Sequence, residues 1–184
     1  SGHIVCEGGM SREQLEFVME LKNVRRGRIS EAAEAFSNIT FHEGTPWGVK
    51  CDVALPCATQ NELKGEDAQK LIANGVMALG EGANMPCTPE AVHHFQSNGV
   101  LFSPGKASNA GGVATSGLEM SQNSLRMSWT REEVDGHLGR IMTDIHAACV
   151  KYGTKENGTV DYVQGANIAG FVKVADAMLD QGVV

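Results

Sequence analysis

Residues 103–123 contain a dense series of small and polar residues, a composition suited to holding an anion. Gly111 and Gly112 allow the backbone to approach a ligand closely. Asn109 and Ser116 supply hydrogen-bonding groups on either side of them. A helix is expected to begin near Gly112, and the free backbone N–H groups of its first turn would bind a carboxylate or a phosphate. The alternative is an ordinary loop of glycine, serine and asparagine that leads into a core helix.

Sequence motifs for nucleotide phosphates are incomplete in this chain. Gly80-Glu81-Gly82 follows a predicted strand but continues Ala83-Asn84-Met85, which does not match the G-x-G-x-x-G fingerprint of a dinucleotide-binding turn. Gly105-Lys106-Ala107-Ser108 resembles the end of a phosphate loop but lacks the upstream glycine of G-x-x-x-x-G-K. A nucleoside triphosphate site is therefore not predicted.

Side chains that could carry out catalysis are scattered along the chain. Cys57 lies in a loop after a predicted strand, and the sequence places none of the six histidines near it. His93 and His94 are adjacent and would point to different faces of a helix, so no metal site is predicted. Glu81 and Glu119 are the carboxylates of the candidate crevice, and each is expected to anchor its surroundings rather than to transfer protons. From its own residues, the chain is interpreted as a binding domain that lacks a catalytic half.

Hydrophobic periodicity and capping residues predict the elements that position these groups. Apolar runs bounded by glycine or proline predict buried strands at Val49–Leu55, Val76–Leu79 and Val100–Phe102. Helical spacing and N-cap residues predict helices at 12–23, Ser30–Phe36, Glu66–Asn74, Pro89–Ser97, 112–128, from Thr130 to about Tyr152, and Ile168–Asp180.

Strands and helices alternate between residues 49 and 128, which is typical of an open α/β fold with a parallel sheet. Ligands of such sheets bind at the carboxyl ends of the strands. Here those ends are 56–61, 81–86 and the segment from Ser103 onward, and all three are small and polar. The sequence therefore predicts that these three loops converge on one crevice.

Composition limits the partners and the compartment. The 184 residues are enough for one medium domain, and a net charge of −7 argues against a nucleic-acid surface. Five cysteines without a C-x-x-C pair favour a reducing cytoplasm over a disulfide framework or a zinc site. No run of eighteen apolar residues occurs, so no membrane segment is expected. Small molecules or proteins are the expected partners.

Four long segments resemble the hexameric glutamate dehydrogenases, most closely the NADP-type enzymes of bacteria and some protists. They are Cys51–Leu63, with the run Cys-Ala-Thr-Gln-Asn-Glu-Leu, then Glu81–Pro86, Gly105–Asn123 and Asn167–Met178. The resemblance covers essentially the whole chain. It departs at the front, because family members carry a substrate domain and the first two strands of the cofactor domain before the matching point. The chain thus resembles a carboxyl-terminal portion.

The resemblance implies a division of the chain and a set of partners. Residues 1–110 would form a partial, Rossmann-like dinucleotide-binding domain, 111–160 the helices that close it, and 161–184 a final helix that packs on the absent N-terminal substrate domain. The full-length protein would be a cytoplasmic homo-hexamer that uses NADP, with NAD possible. It would interconvert L-glutamate with 2-oxoglutarate and ammonia.

The resemblance also assigns roles to individual residues. Ser116 matches a residue that hydrogen-bonds a substrate carboxylate, and Val113 matches one that lines the substrate pocket. Asn84 and Asn109 match asparagines that hold the nicotinamide ribose or amide. Cys57 and Ala58 match backbone that passes beside the cofactor. The family's catalytic lysine and aspartate have no counterpart here, so no catalytic residue is expected within this chain.

Two other functions remain open from the sequence. A non-catalytic module could keep this fold for dinucleotide sensing or protein contact. A leucine or phenylalanine dehydrogenase shares the fold, although the Cys-Ala-Thr-Gln-Asn-Glu-Leu and Gly-Val-Ala-Thr-Ser runs resemble the glutamate enzymes more closely. The chain by itself is expected to be inactive.

Overall fold

The computed structural model describes residues 2–182, which divide into two compact units after Val49. We call them the N-terminal unit and the C-terminal unit. The boundaries predicted at residues 110 and 160 concern functional regions within a longer protein, and they stay a prediction.

The N-terminal unit is a two-stranded antiparallel sheet with two helices. Strand β1 (Gly2–Cys6) pairs with β2 (Ile39–Glu43), and α1 (Arg12–Asn23) and α2 (Glu31–Ala35) lie between them in the chain. The two helices match the predicted ones, and α1 begins with a capping box formed by Ser11 and Gln14. The two strands were not predicted. In β2 only Ile39 is buried, so the alternation of buried and exposed residues that identifies a strand is absent.

The C-terminal unit contains a parallel sheet and six helices. The strands are β3 (Val53–Ala54), β4 (Ala78–Gly80) and β5 (Leu101–Ser103), in that spatial order. The helices are α3 (Gly65–Ala73), α4 (Pro89–Ser97), α5 (Gly105–Ser108), α6 (Gly111–Leu125), α7 (Arg131–Gly153) and α8 (Tyr162–Gln181). This arrangement confirms the predicted α/β fold with a parallel sheet and a helical carboxyl-terminal region. The short α5 was not predicted.

One face of the sheet forms the core of this unit. Ala54, Leu79 and Phe102 lie side by side in the register of the three strands, and all three are buried. The ring of Phe95 on α4 stacks on Phe102 at 6.1 Å. Each strand begins later than predicted, because Val49, Val76 and Val100 belong to the segments that lead into them. Hydrophobic runs thus located the strands but overextended their first residues.

Helices α7 and α8 pack against each other through glycine. A Cβ atom on Gly165 would collide with the backbone carbonyl of Cys149 on α7, and one on Gly153 would lie 3.2 Å from the Cα of Gly165. Helix α8 begins at Tyr162 rather than at the predicted Ile168, because Asp161 caps it by accepting a hydrogen bond from the Gln164 N–H at 3.0 Å. Side-chain periodicity missed this first turn because it is built around a glycine.

Asp161 also holds the start of α8 through charge. Its carboxylate accepts a hydrogen bond from Gln96 at 3.1 Å and pairs with Lys155 at 3.1 Å. Partial burial alone would raise its pKa, but the N–H of Gln164 and the ammonium of Lys155 stabilise the charged form, so the pKa of Asp161 is lowered overall. The folded state therefore gains stability from this group above the ordinary carboxyl pKa, and loses it as the pH falls through the lowered value.

Replacing Asp161 should separate its capping and charge roles. D161A is expected to lower the free energy of unfolding by about 1 kcal/mol, the usual cost of an N-cap. D161N keeps a capping oxygen and should lose less. Urea unfolding followed by circular dichroism measures both. The difference in the free energy of unfolding between wild type and D161N should be constant near pH 7. It should vanish as the pH falls below about 4. A difference that grows with acid would contradict this assignment.

Candidate functional site

The carboxyl ends of β3, β4 and β5 surround a cavity of about 690 Å³, which we call the strand-end cavity. Its walls come from three segments, at 57–60, 82–84 and 106–113. These are the loops that the sequence predicted to converge. The prediction of a common crevice at this edge of the sheet is therefore confirmed.

The first two loops are joined to each other by backbone hydrogen bonds. The N–H groups of Gly82 and Ala83 both donate to the carbonyl of Pro56, at 3.0 and 3.1 Å. Further along, the N–H of Asn61 in the loop after β3 donates to the carbonyl of Met85 in the loop after β4, at 2.9 Å. These bonds hold the loop after β3 against the loop after β4, so the cavity wall is preformed by the backbone.

Glu81 joins the second loop to the third. Its side chain is buried, with 6% of its surface exposed. One carboxylate oxygen accepts the Cys87 N–H at 3.2 Å and the other accepts the Gly105 N–H at 2.7 Å. The Glu81 carbonyl accepts the hydroxyl of Ser108 at 2.7 Å. The carboxylate is thus occupied by backbone donors, which confirms the expectation that Glu81 anchors its surroundings.

Two cysteines near the cavity differ in environment. Burial is the main cause that raises the pKa of the Cys87 thiol, and the neighbouring Glu81 carboxylate raises it further. Cys87 is therefore held as a neutral thiol. Cys57 is exposed and lines the cavity, and it lies so close to Gly82 that a Cβ atom there would collide with its sulfur. Glycine at position 82 is what leaves room for the Cys57 side chain.

Asn84 and Asn109 form a pair on the cavity wall. The Asn109 side-chain amide donates to the Ala83 carbonyl at 3.1 Å and to Oδ1 of Asn84 at 2.9 Å. Among residues 2–182, no protein group bonds Oδ1 of Asn109 or Nδ2 of Asn84. One acceptor and one donor are thus oriented by the pair and left for a ligand.

The glycine-rich run differs from the turn that the sequence predicted. Residues 105–108 already form the helical turn α5, and the N–H groups of Asn109 and Gly112 donate to the carbonyls of Gly105 and Asn109, at 2.9 and 3.3 Å. The Gly112 N–H, expected to be free for an anion at the start of α6, is therefore used within the protein. The predicted anion-binding role is not met at Gly112, because the Asn109 carbonyl at the end of α5 supplies its acceptor, and for the rest of the turn it stays a prediction.

Five of the six sequence-predicted site residues line the strand-end cavity: Cys57, Ala58, Asn84, Asn109 and Val113. The sixth, Ser116, lies one helical turn beyond Val113, is exposed, and donates its hydroxyl to the Gly112 carbonyl at 3.4 Å. Lys106 also lines the cavity and was missed. The sequence contains a signal for it, because Gly105-Lys106-Ala107-Ser108 resembles the end of a phosphate loop, although the motif is incomplete.

The described part of the chain has neither a metal-binding cluster nor a membrane-spanning helix. Within residues 2–182, no group of three or more histidine, cysteine, aspartate or glutamate side chains could hold a metal ion. None of the helices in that range is long and apolar enough to cross a membrane.

A parallel sheet with a polar cavity at the carboxyl ends of its strands defines an open α/β ligand-binding domain. The model of the Glutamate/Leucine/Phenylalanine/Valine dehydrogenase family matches residues 1–182, and the chain belongs to that family.

Curated relatives are dehydrogenases from bacteria. The chain is 58% identical to the glutamate dehydrogenase of Bacteroides thetaiotaomicron and 57% identical to the NADP-specific glutamate dehydrogenase of Escherichia coli. It is 53% identical to an NAD-specific glutamate dehydrogenase of Bacteroides fragilis. In each case the match covers 100% of this chain and 41% of the relative. The chain therefore spans well under half the length of these relatives.

The fold agrees with a solved glutamate dehydrogenase structure. The Plasmodium falciparum enzyme superposes with a TM-score of 0.92 at 45% identity, over 100% of this chain and 40% of that one. The family resemblance read from the sequence motifs is thus confirmed by both sequence and structure.

Replacing Glu81 should loosen all three loops. In E81Q an amide N–H₂ group would face a backbone N–H of Cys87 or Gly105, so one buried donor loses its acceptor. We expect the free energy of unfolding to fall by about 2–3 kcal/mol, and limited proteolysis to cut sooner within 82–104. Glu66, exposed in the first turn of α3, provides the matched control E66Q. An E81Q protein as stable as E66Q would refute the anchoring role.

Proposed function

We propose that this chain is the cofactor-binding part of a glutamate dehydrogenase. The reaction is the reversible conversion of L-glutamate into 2-oxoglutarate and ammonia, with NADP(H) as cofactor and NAD(H) as the second possibility. The observation that carries the proposal is the strand-end cavity, which gathers Cys57, Ala58, Asn84, Asn109 and Val113 around one space. The reaction is that of the relatives, which are glutamate dehydrogenases and several of which are NADP-specific.

The residues on the cavity wall fit a nicotinamide group. A carboxamide needs one acceptor and one donor in fixed positions, and Oδ1 of Asn109 and Nδ2 of Asn84 are oriented by their mutual hydrogen bond to supply both. Glycine at position 82 leaves room for the exposed Cys57 side chain, which lines the cavity beside them. The nicotinamide, when bound, carries the hydride that is exchanged with the substrate. Asn84 and Asn109 would hold its plane in one orientation.

Val113 and Ser116 form the substrate side of the proposal. The Val113 side chain is 72% exposed at the cavity edge, so it offers an apolar contact to the methylene groups of glutamate. The Ser116 hydroxyl has only a 3.4 Å bond to a carbonyl of its own helix and can turn toward a carboxylate. Groups for proton transfer are assigned to the part of the relatives that this chain does not span.

The surface of α8 supports the same assignment. Phe171, Val174 and Met178 are spaced along one side of this helix and are 71%, 60% and 66% exposed. We propose that the substrate domain of the full-length protein covers them, as the family resemblance implies. A homo-hexameric assembly and a cytoplasmic location belong to this proposal too, and the five free cysteines are consistent with a reducing compartment. No observation favours the alternative of a non-catalytic sensing module.

A chimaeric enzyme tests the proposed reaction. This chain would replace the matched 41% of the Escherichia coli relative, which leaves the substrate domain intact. We expect oxidation of NADPH to depend on both 2-oxoglutarate and ammonium, measured by absorbance of the reduced cofactor. The isolated chain should give no turnover. A chimaera that folds and assembles like its parent but lacks activity would overturn the proposal.

Substitutions in the chimaera should separate the two sides of the cavity. N109A removes a cofactor contact and should raise KM for NADPH about tenfold, the effect of one or two lost hydrogen bonds, with little change for 2-oxoglutarate. S116A should instead raise KM for 2-oxoglutarate, with little change for NADPH. T115A is a matched control, because Thr115 is a neighbouring exposed hydroxyl that bonds its own helix at 2.9 Å. Equal effects of N109A and S116A on both substrates would contradict the two-sided arrangement.

A further inference from the structure

Lys106 provides the only charged side chain among the residues that line the strand-end cavity. Its ammonium donates to Oδ1 of Asn167 on α8 at 2.6 Å. Asn167 is a neutral amide, and no carboxylate within residues 2–182 forms an ion pair with Lys106. The cavity therefore carries one positive charge that the described part of the protein does not neutralise.

The position of Lys106 is fixed from two directions. Its neighbours in α5, Gly105 and Ala107, are both buried, so the backbone under the lysine cannot shift easily. The hydrogen bond to Asn167 then restricts the four-carbon side chain, which otherwise loses considerable rotamer entropy when it binds a ligand. A cation held in this way is prepared for an ion contact at the cavity edge.

We propose that Lys106 is an anion-binding residue of the strand-end cavity and that Asn167 positions it. The ligand group is an anionic oxygen group, either a phosphate of the dinucleotide or a carboxylate of the dicarboxylic acid substrate. This inference rests on the proposed function, whose dinucleotide and dicarboxylic acid substrate both carry anionic oxygen groups. It adds a cationic contact that none of the sequence-predicted site residues provides.

The size of the effect follows from the exposure of Lys106. An ion contact at a solvent-exposed site contributes about 1 kcal/mol at low salt, so its loss should weaken binding roughly fivefold. Salt screens such contacts, and the effect should shrink at about 0.5 M salt. The Asn167 contact only orients the lysine, so its loss should weaken binding about twofold.

The test uses the chimaeric enzyme with K106M, K106R and N167A. Isothermal titration calorimetry measures the dissociation constants of NADPH and, separately, of glutarate as an unreactive dicarboxylate. K106M should weaken one of them about fivefold at low salt, and the affected ligand identifies the source of the anion. K106R retains the charge and should bind nearly as wild type. K151M is the matched control, because Lys151 is an exposed lysine on α7 that lines neither the strand-end cavity nor the second cavity that Lys106 borders beside α8.

The outcomes separate this inference from the function on which it rests. If wild-type chimaera has no activity, the proposed function fails. If it is active while K106M binds NADPH and glutarate as wild type does, Lys106 does not bind an anion and only this inference fails. A weakening that is independent of salt, or that K151M shares, also overturns it. Circular dichroism and the melting temperature verify that each variant is folded.

Discussion

The buried carboxylate of Glu81 is the interaction on which the candidate site depends. It accepts one backbone N–H from its own loop, at Cys87, and one from the next loop, at Gly105. A buried charge is costly unless it is fully hydrogen-bonded, and here the backbone supplies the donors. Because Glu81 directly follows β4, the same residue links the central strand of the sheet to α5. The third wall of the cavity is thereby fixed to the sheet.

The remaining walls follow from this arrangement. The loop after β3 is bonded to the loop after β4 through the Pro56 carbonyl, and Asn109 reaches back to the Ala83 carbonyl from beyond α5. Asn109 is therefore held by the backbone of a neighbouring loop, and it holds Asn84 in turn through its side chain. A wall preformed in this way can orient a flat ligand without rearranging, as the proposed hydride transfer requires.

The sequence predicted the parallel sheet, the convergence of its loops and most of the helices, because short apolar runs and N-cap residues are local signals. It missed β1 and β2, whose residues lack a buried and exposed alternation. It also expected an open N–H group at Gly112, which donates instead to the Asn109 carbonyl at the end of α5. That difference has a tertiary cause: α5 is a single turn stabilised by Glu81, a residue 24 positions away. Periodicity within a segment cannot reveal such a partner. Lys106 was missed for another reason, because an incomplete phosphate-loop motif is a weak signal of binding.

The glycine contact between α7 and α8 has a mechanical consequence. Gly153 and Gly165 bring the two backbones into direct contact where α7 ends and α8 begins. Backbone atoms cannot change rotamer to make room, so the separation of the helices is fixed at this end. Further along, residues of both helices, among them Ile145 and Ala169, line an open cavity instead. Relative movement of the two helices would therefore be smallest at the glycine contact and larger toward their other ends.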